Sequence, residues 1–148
     1  MEDRVYVKPH FRKRIIKVKP DASDYWERGW KLIEKFAEPS GCRVGEMHAT
    51  LKEMESIFGK PSTAVSGDGK ITTSWTLIFP EERAYIEIYD WKATNKYESG
   101  YPSPEEFRNF AKENEYSWQV GSNLSTPKVK KLLEKYFGKK VANMLVRD

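Results

Sequence analysis

The chain holds very little of what metal and redox sites are built from: one cysteine and two histidines in 148 residues. Cys42 has no partner for an internal disulfide, and a reducing compartment suits it. His10 and His48 stand far apart, and neither CxxC nor HxxxH spacing occurs. The expectation is therefore no metal and no cofactor. GxGxxG, GxxxxGK[ST] and GxSxG are also absent, which excludes the motif-based readings of a dinucleotide fold, a P-loop and a hydrolase nucleophile elbow. Uninterrupted apolar runs stop at about three residues, far short of the roughly 20 that cross a bilayer. The opening MEDRVYVKPH has no hydrophobic signal region. The expected protein is intracellular, not secreted, and makes no membrane contact.

What is abundant is aromatic surface and unevenly spread charge. Five Trp, eight Tyr and seven Phe make up 14% of the chain. The net charge of +4 conceals an asymmetry. Residues 1–20 carry seven Lys or Arg against two acids, and residues 127–148 again carry seven against two. The stretch between them has 12 basic and 18 acidic residues. Cationic ends around an anionic body suit a polyanionic partner, either nucleic acid or an acidic protein surface. They equally suit ends that fold back on the body.

The length fits one domain. Residues 1–20 read as a basic arm with some strand character, interrupted by Pro9 and closed by Pro20; residues 21–148 read as a single α+β domain. Trp26, Trp30, Ile33 and Ala37 fall at helical spacing, predicting a helix from Ser23 or Asp24 to about Ala37. Thr50-Leu-Lys-Glu53 is a capping box, and Leu51, Met54, Ile57 and Phe58 give its helix a buried face that ends at Gly59. Gly67-Asp-Gly69 predicts a turn into a strand over 70–79, and PEER links that strand to a second over 84–92. Ser103-Pro-Glu-Glu106 starts a further helix. Alternation of Tyr116, Trp118 and Val120 predicts a strand. Ser125-Thr-Pro127 opens the last helix, which Gly138 breaks and 141–146 resumes. The sum is an antiparallel sheet of about four to five strands packed with three to four short helices.

Several of these segments carry a recognisable pattern: Phe58-Gly-x-Pro61, Gly67-Asp-Gly-Lys70, Thr73-Ser-Trp75-x-Leu77-x-Phe79, Ile88-Tyr-Asp-Trp-Lys92 and Trp118-Gln-Val-Gly121. Together they resemble a family of small, largely uncharacterised proteins of bacteriophages and large DNA viruses. That family closes on Trp-His-Ile-Gly-Gly; here Gln119 stands in place of the His and Ser122 in place of the second Gly. The resemblance spans roughly residues 45–133. It implies a viral or phage origin and an accessory role in the host cytoplasm or nucleus.

The candidate residues fall into two groups. Arg12, Lys13, Arg14 and Lys17 on the arm, with Lys128, Lys131 and Lys135 on the last helix, are the expected contacts to nucleic acid or to an acidic host factor. Tyr89, Asp90, Trp91, Lys92 and Trp118 are the expected ligand or interface group, because a partly polar aromatic face can stack a base or form an interface hot spot. Glu87 and Asp90 fall on opposite faces by alternation, and Cys42 has no base placed beside it, so no catalytic residue is expected. The leading expectation is a non-enzymatic viral accessory binding protein. The alternatives are a trap for a nucleotide-like ligand that counters host defence, and an assembly component that joins copies of the chain or builds a virion.

Overall fold

The computed structural model describes residues 29–33 and 42–147. Six strands and four helices lie among them: β1 (Lys31–Ile33), β2 (Cys42–Ala49), α1 (Leu51–Phe58), β3 (Ser74–Phe79), β4 (Ala84–Tyr89), α2 (Pro104–Glu113), β5 (Tyr116–Ser122), α3 (Thr126–Phe137), α4 (Lys139–Ala142) and β6 (Leu145–Val146). The strands form one antiparallel sheet in the order β1-β3-β4-β5-β2-β6. This is an α+β fold with one more strand than the upper expectation. The arm residues Arg12, Lys13, Arg14 and Lys17 lie outside the described residues, as does much of the helix expected over 23–37.

The β3–β4 hairpin sets the two faces. Trp75, Leu77 and Phe79 stand opposite Ile88, Ile86 and Ala84, and all are completely buried. Their face meets Leu51, Met54 and Phe58 of α1, Phe107 and Ala111 of α2, and Val129, Leu132 and Leu133 of α3 in one core. The helices therefore cover a single face of the sheet. Two tryptophans anchor it: Trp75 and Trp118 meet edge to face at 5.2 Å. Their indole N–H groups donate to the Gly59 carbonyl at 2.7 Å and the Ala49 carbonyl at 3.0 Å. Burial of the rings thus leaves no polar atom unpaired. α1 and α2 start on complete capping boxes at Thr50 and Ser103, as their sequences predict.

Three segments depart from expectation. Lys31–Ile33 is a strand, where the aromatic spacing predicts helix; it pairs with β3 and closes an edge that would otherwise expose unpaired backbone groups. Residues 145–146 pair with β2 instead of extending the last helix. β2 itself has no periodic signature, because its apolar positions Val44, Met47 and Ala49 do not alternate. A bulge between Arg43 and Gly45 adds one residue to this strand, so Val44 reaches the core while Arg43 turns to the other face. Gly45 is needed here: a Cβ on it would stand 2.5 Å from the Val146 carbonyl oxygen.

Candidate functional site

β4 ends at Tyr89, and the next three residues do three different things. Asp90 is fully buried. Its Oδ1 accepts from the Thr72 and Thr73 amides at 2.7 and 2.9 Å, and its Oδ2 accepts from the Thr72 hydroxyl at 2.6 Å. Burial pushes the carboxyl above its usual range, and the threonine bonds pull it partly back. From α2, Arg108 donates to the Thr72 carbonyl and the Thr73 hydroxyl, both at 3.0 Å. Asp90 is therefore a pin for the segment 70–73, which corrects the expectation that it contacts a ligand. Trp118 is corrected likewise: it is a core residue with 0% exposure.

Trp91 faces solvent and is 41% exposed. Its amide donates to the Tyr116 hydroxyl at 3.1 Å, which fixes the backbone beneath it. The Lys70 and Lys92 ammonium groups lie 5.4 and 5.5 Å from its ring centroid. Tyr89 meets it edge-on at 6.0 Å. Lys92 adopts φ of +57°, and its amide donates to the Lys70 carbonyl at 2.8 Å, so the two lysine backbones are joined next to Trp91. Lys92 also sits 5.3 Å from the ring of Tyr97, which is itself 37% exposed. The loop carrying Tyr97 is pressed onto the Gly67–Gly69 turn, where a Cβ on Gly69 would stand 2.1 Å from the Lys96 carbonyl oxygen. Only glycine permits that approach. The result is an exposed pair of aromatic rings interleaved with two cations.

The helix-free face of β4, β5 and β2 continues from Tyr89. Register places Tyr89, Gln119 and Glu46 in one row across the strands, with Ser117 and His48 on one side of it and Glu87, Gly121 and Arg43 on the other. Arg43 Nε donates to Gln119 Oε1, and an Arg43 terminal nitrogen donates to Glu46 Oε1 at 3.3 Å. His48 Nε2 lies within hydrogen-bond distance of Glu46 Oε2, at 2.8 Å, and Ser117 Oγ lies 3.4 Å from His48 Nδ1. Glu87 has no hydrogen-bond partner among the described residues, and burial pushes its carboxyl up to about 7.

The basic helix is at the other end of β4. Lys135 lies 2.8 Å from Glu82 and 3.7 Å from Glu81, in the β3–β4 turn. The Tyr136 hydroxyl donates to the same Glu82 oxygen at 2.6 Å. Lys135 is thus committed within its own chain, against the expectation that it serves a partner. Lys128 and Lys131 are exposed and form no ion pair among the described residues. Lys135 is consequently separated from the Trp91 group by the length of β4, roughly 20 Å. Sequence reasoning passes over Lys70 and Tyr97 as binding residues, and over Arg43, Glu46 and His48 as one polar row. Lys70 directly after the Gly-Asp-Gly turn is the available signal for the first; the rest need the register. Cys42 is exposed and lines an open cleft of about 390 Å³ with Arg43, Thr126 and Arg147.

No protein-family model matches this chain, and no curated protein matches it. No helix among the described residues is long and apolar enough to cross a membrane.

Proposed function

We propose that this protein is a non-enzymatic binding module for single-stranded nucleic acid, with Trp91 as its stacking platform. Its setting would be the infected cell that the sequence resemblance implies. The observation that carries the reading is the exposed Trp91 ring with two lysine ammonium groups within 5.5 Å. A ring accepts a base of any identity, and the two ammonium groups that lie over it move onto the phosphates on either side of that base as it stacks. The spacing also suits a strand: Lys92 lies between the Trp91 and Tyr97 rings, 5.5 and 5.3 Å from their centroids. That position suits a phosphate linking two stacked bases. An open surface of this kind favours a chain that runs across it over a small ligand that must be enclosed.

The test is fluorescence anisotropy with a labelled thymidine octamer. Trp91→Ala weakens binding by about 5- to 150-fold, the range expected for one base–ring stack. The log–log salt slope falls by roughly 0.7 for each of Lys70 and Lys92 replaced by Ala, the value for one single-strand phosphate. Binding that is absent, or indifferent to Trp91, overturns the reading. In that event, capture of an acidic protein through the same ring would make the surface a protein interface.

A further inference from the structure

The row of polar groups beside Tyr89 has no part in stacking, yet it is fixed by its own bonds and open to solvent. Side chains of Arg43, Glu46 and His48 are 38%, 21% and 43% exposed. Glu46 holds acceptor capacity in reserve. A carboxylate offers about four lone-pair positions, and its Oε1 is met only by two long bonds, 3.3 Å from Arg43 and 3.4 Å from Gln119. Both exceed the usual N–H···O distance, so a better-placed donor can displace them. The ladder thus presents a guanidinium and an under-used carboxylate side by side on β2, one strand beyond β5, the carboxylate in the row that Tyr89 begins on β4.

We infer that the Arg43–Glu46–Gln119 ladder reads the edge of a guanine in the strand anchored at Trp91. This deepens the proposed function and rests on it. Guanine sets its O6 acceptor beside two donors, N1–H and N2–H₂. Arg43 donates to O6, as arginine does in groove readout, while the two Glu46 oxygens accept from N1–H and N2–H₂. Adenine inverts the first two positions. Thymine and uracil match the first two but bring O2 against the second carboxylate oxygen, which repels it. The bond between Arg43 and Gln119 holds the guanidinium in the plane that this pairing needs. The His48 bond at 2.8 Å keeps Glu46 from rotating away.

The experiment compares the thymidine octamer with octamers carrying a single central guanine or adenine, by anisotropy at fixed salt. The guanine octamer binds about tenfold tighter than the thymidine octamer, the lower part of the range for one bidentate base contact; adenine brings no gain. Glu46→Gln and Arg43→Met each erase the guanine advantage and leave thymidine affinity unchanged. An advantage that is absent, or that survives both substitutions, overturns the inference while thymidine binding still upholds Trp91 as the platform. Failure of thymidine binding overturns the stacking reading instead. Titration with guanosine monophosphate, followed at the Gln119 side-chain amide by NMR, then decides the ladder alone: a shift lost in Glu46→Gln supports it, and no shift overturns it.

Discussion

The two ends of β4 are both lined with lysine, and they use it in opposite ways. At the β3–β4 turn, Lys135 lies near both Glu81 and Glu82, and its bonds to Glu82 and Tyr136 hold the ammonium proton more firmly than usual. At the far end, Lys70 and Lys92 lie against the ring of the exposed Trp91. Lys70 reaches a carboxylate only at 3.9 Å, on Asp68. A lysine paired with a carboxylate adds nothing to the outward field, whereas one resting on a ring keeps its charge and lends the ring's surface to whatever that charge attracts. Counting charges along the chain cannot separate these two cases; the partner of each charge does.

The sharpest way to break the comparison is through the two tryptophans near the open end. Trp118 lies in the core beneath it, with its ring 4.8 Å from that of Tyr116. Trp118→Ala costs about 3–5 kcal/mol of stability by urea denaturation, the usual cost of emptying a buried aromatic site. Trp91→Ala costs under about 0.5 kcal/mol, as for other surface positions. Similar costs would mean that Trp91 is part of the packing and is not on display.

Glu87 tests the middle of the strand. Its carboxyl is raised from 4.5 to about 7 by burial alone. A carboxyl raised on folding contributes stability that is fully present below about pH 4.5 and is lost as pH climbs through about 7. Glu87→Gln removes that loss. It stabilises the protein at pH 8 by up to about 3 kcal/mol, since each tenfold change in proton affinity is worth about 1.4 kcal/mol, and it changes nothing at pH 4. Thermal melts of both proteins across this range check the sign, and equal melts at pH 8 would show the carboxyl to be well solvated. The smallest effect belongs to Lys135→Ala. Its ion pairs are screened by solvent, so stability barely moves, and strand binding does not change. Under the same anisotropy conditions Lys70→Ala weakens binding, and an equal loss from Lys135→Ala would erase the distinction between the ends.

Much of the fold is legible in the sequence because local rules and packing agree. Ser103-Pro-Glu-Glu106 forms the cap it spells, and the alternation in β3, β4 and β5 correctly separates Trp75, Ile88 and Val120 from Thr76, Glu87 and Gln119. Agreement fails where tertiary pairing decides the outcome. Trp30 and Ile33 fit a helical stripe, yet the open edge of β3 claims Lys31–Ile33 as a strand. The site is half legible. Trp91 is singled out because alternation puts it on the partly polar face of the strand expected over 84–92, and its ring is exposed. Asp90 stands directly before Trp91, but its burial depends on Thr72 and Thr73, 18 and 17 positions away, which no local pattern announces. The Arg43–Glu46–His48 row is invisible because the bulge breaks the period that would have revealed it.

That bulge has one more consequence. With Gly45 struck out, the remaining letters Arg-Val-Glu-Met-His-Ala alternate outward and inward without a fault, and Val44 slips into the place opposite Val120 that the glycine holds. Gly45 is therefore easier to lose than to exchange. Its excision keeps every neighbour on its proper side, whereas any side chain grafted there runs into the final strand. In the drift of such a gene, the tolerated scar at this codon is a three-base gap, not a missense letter.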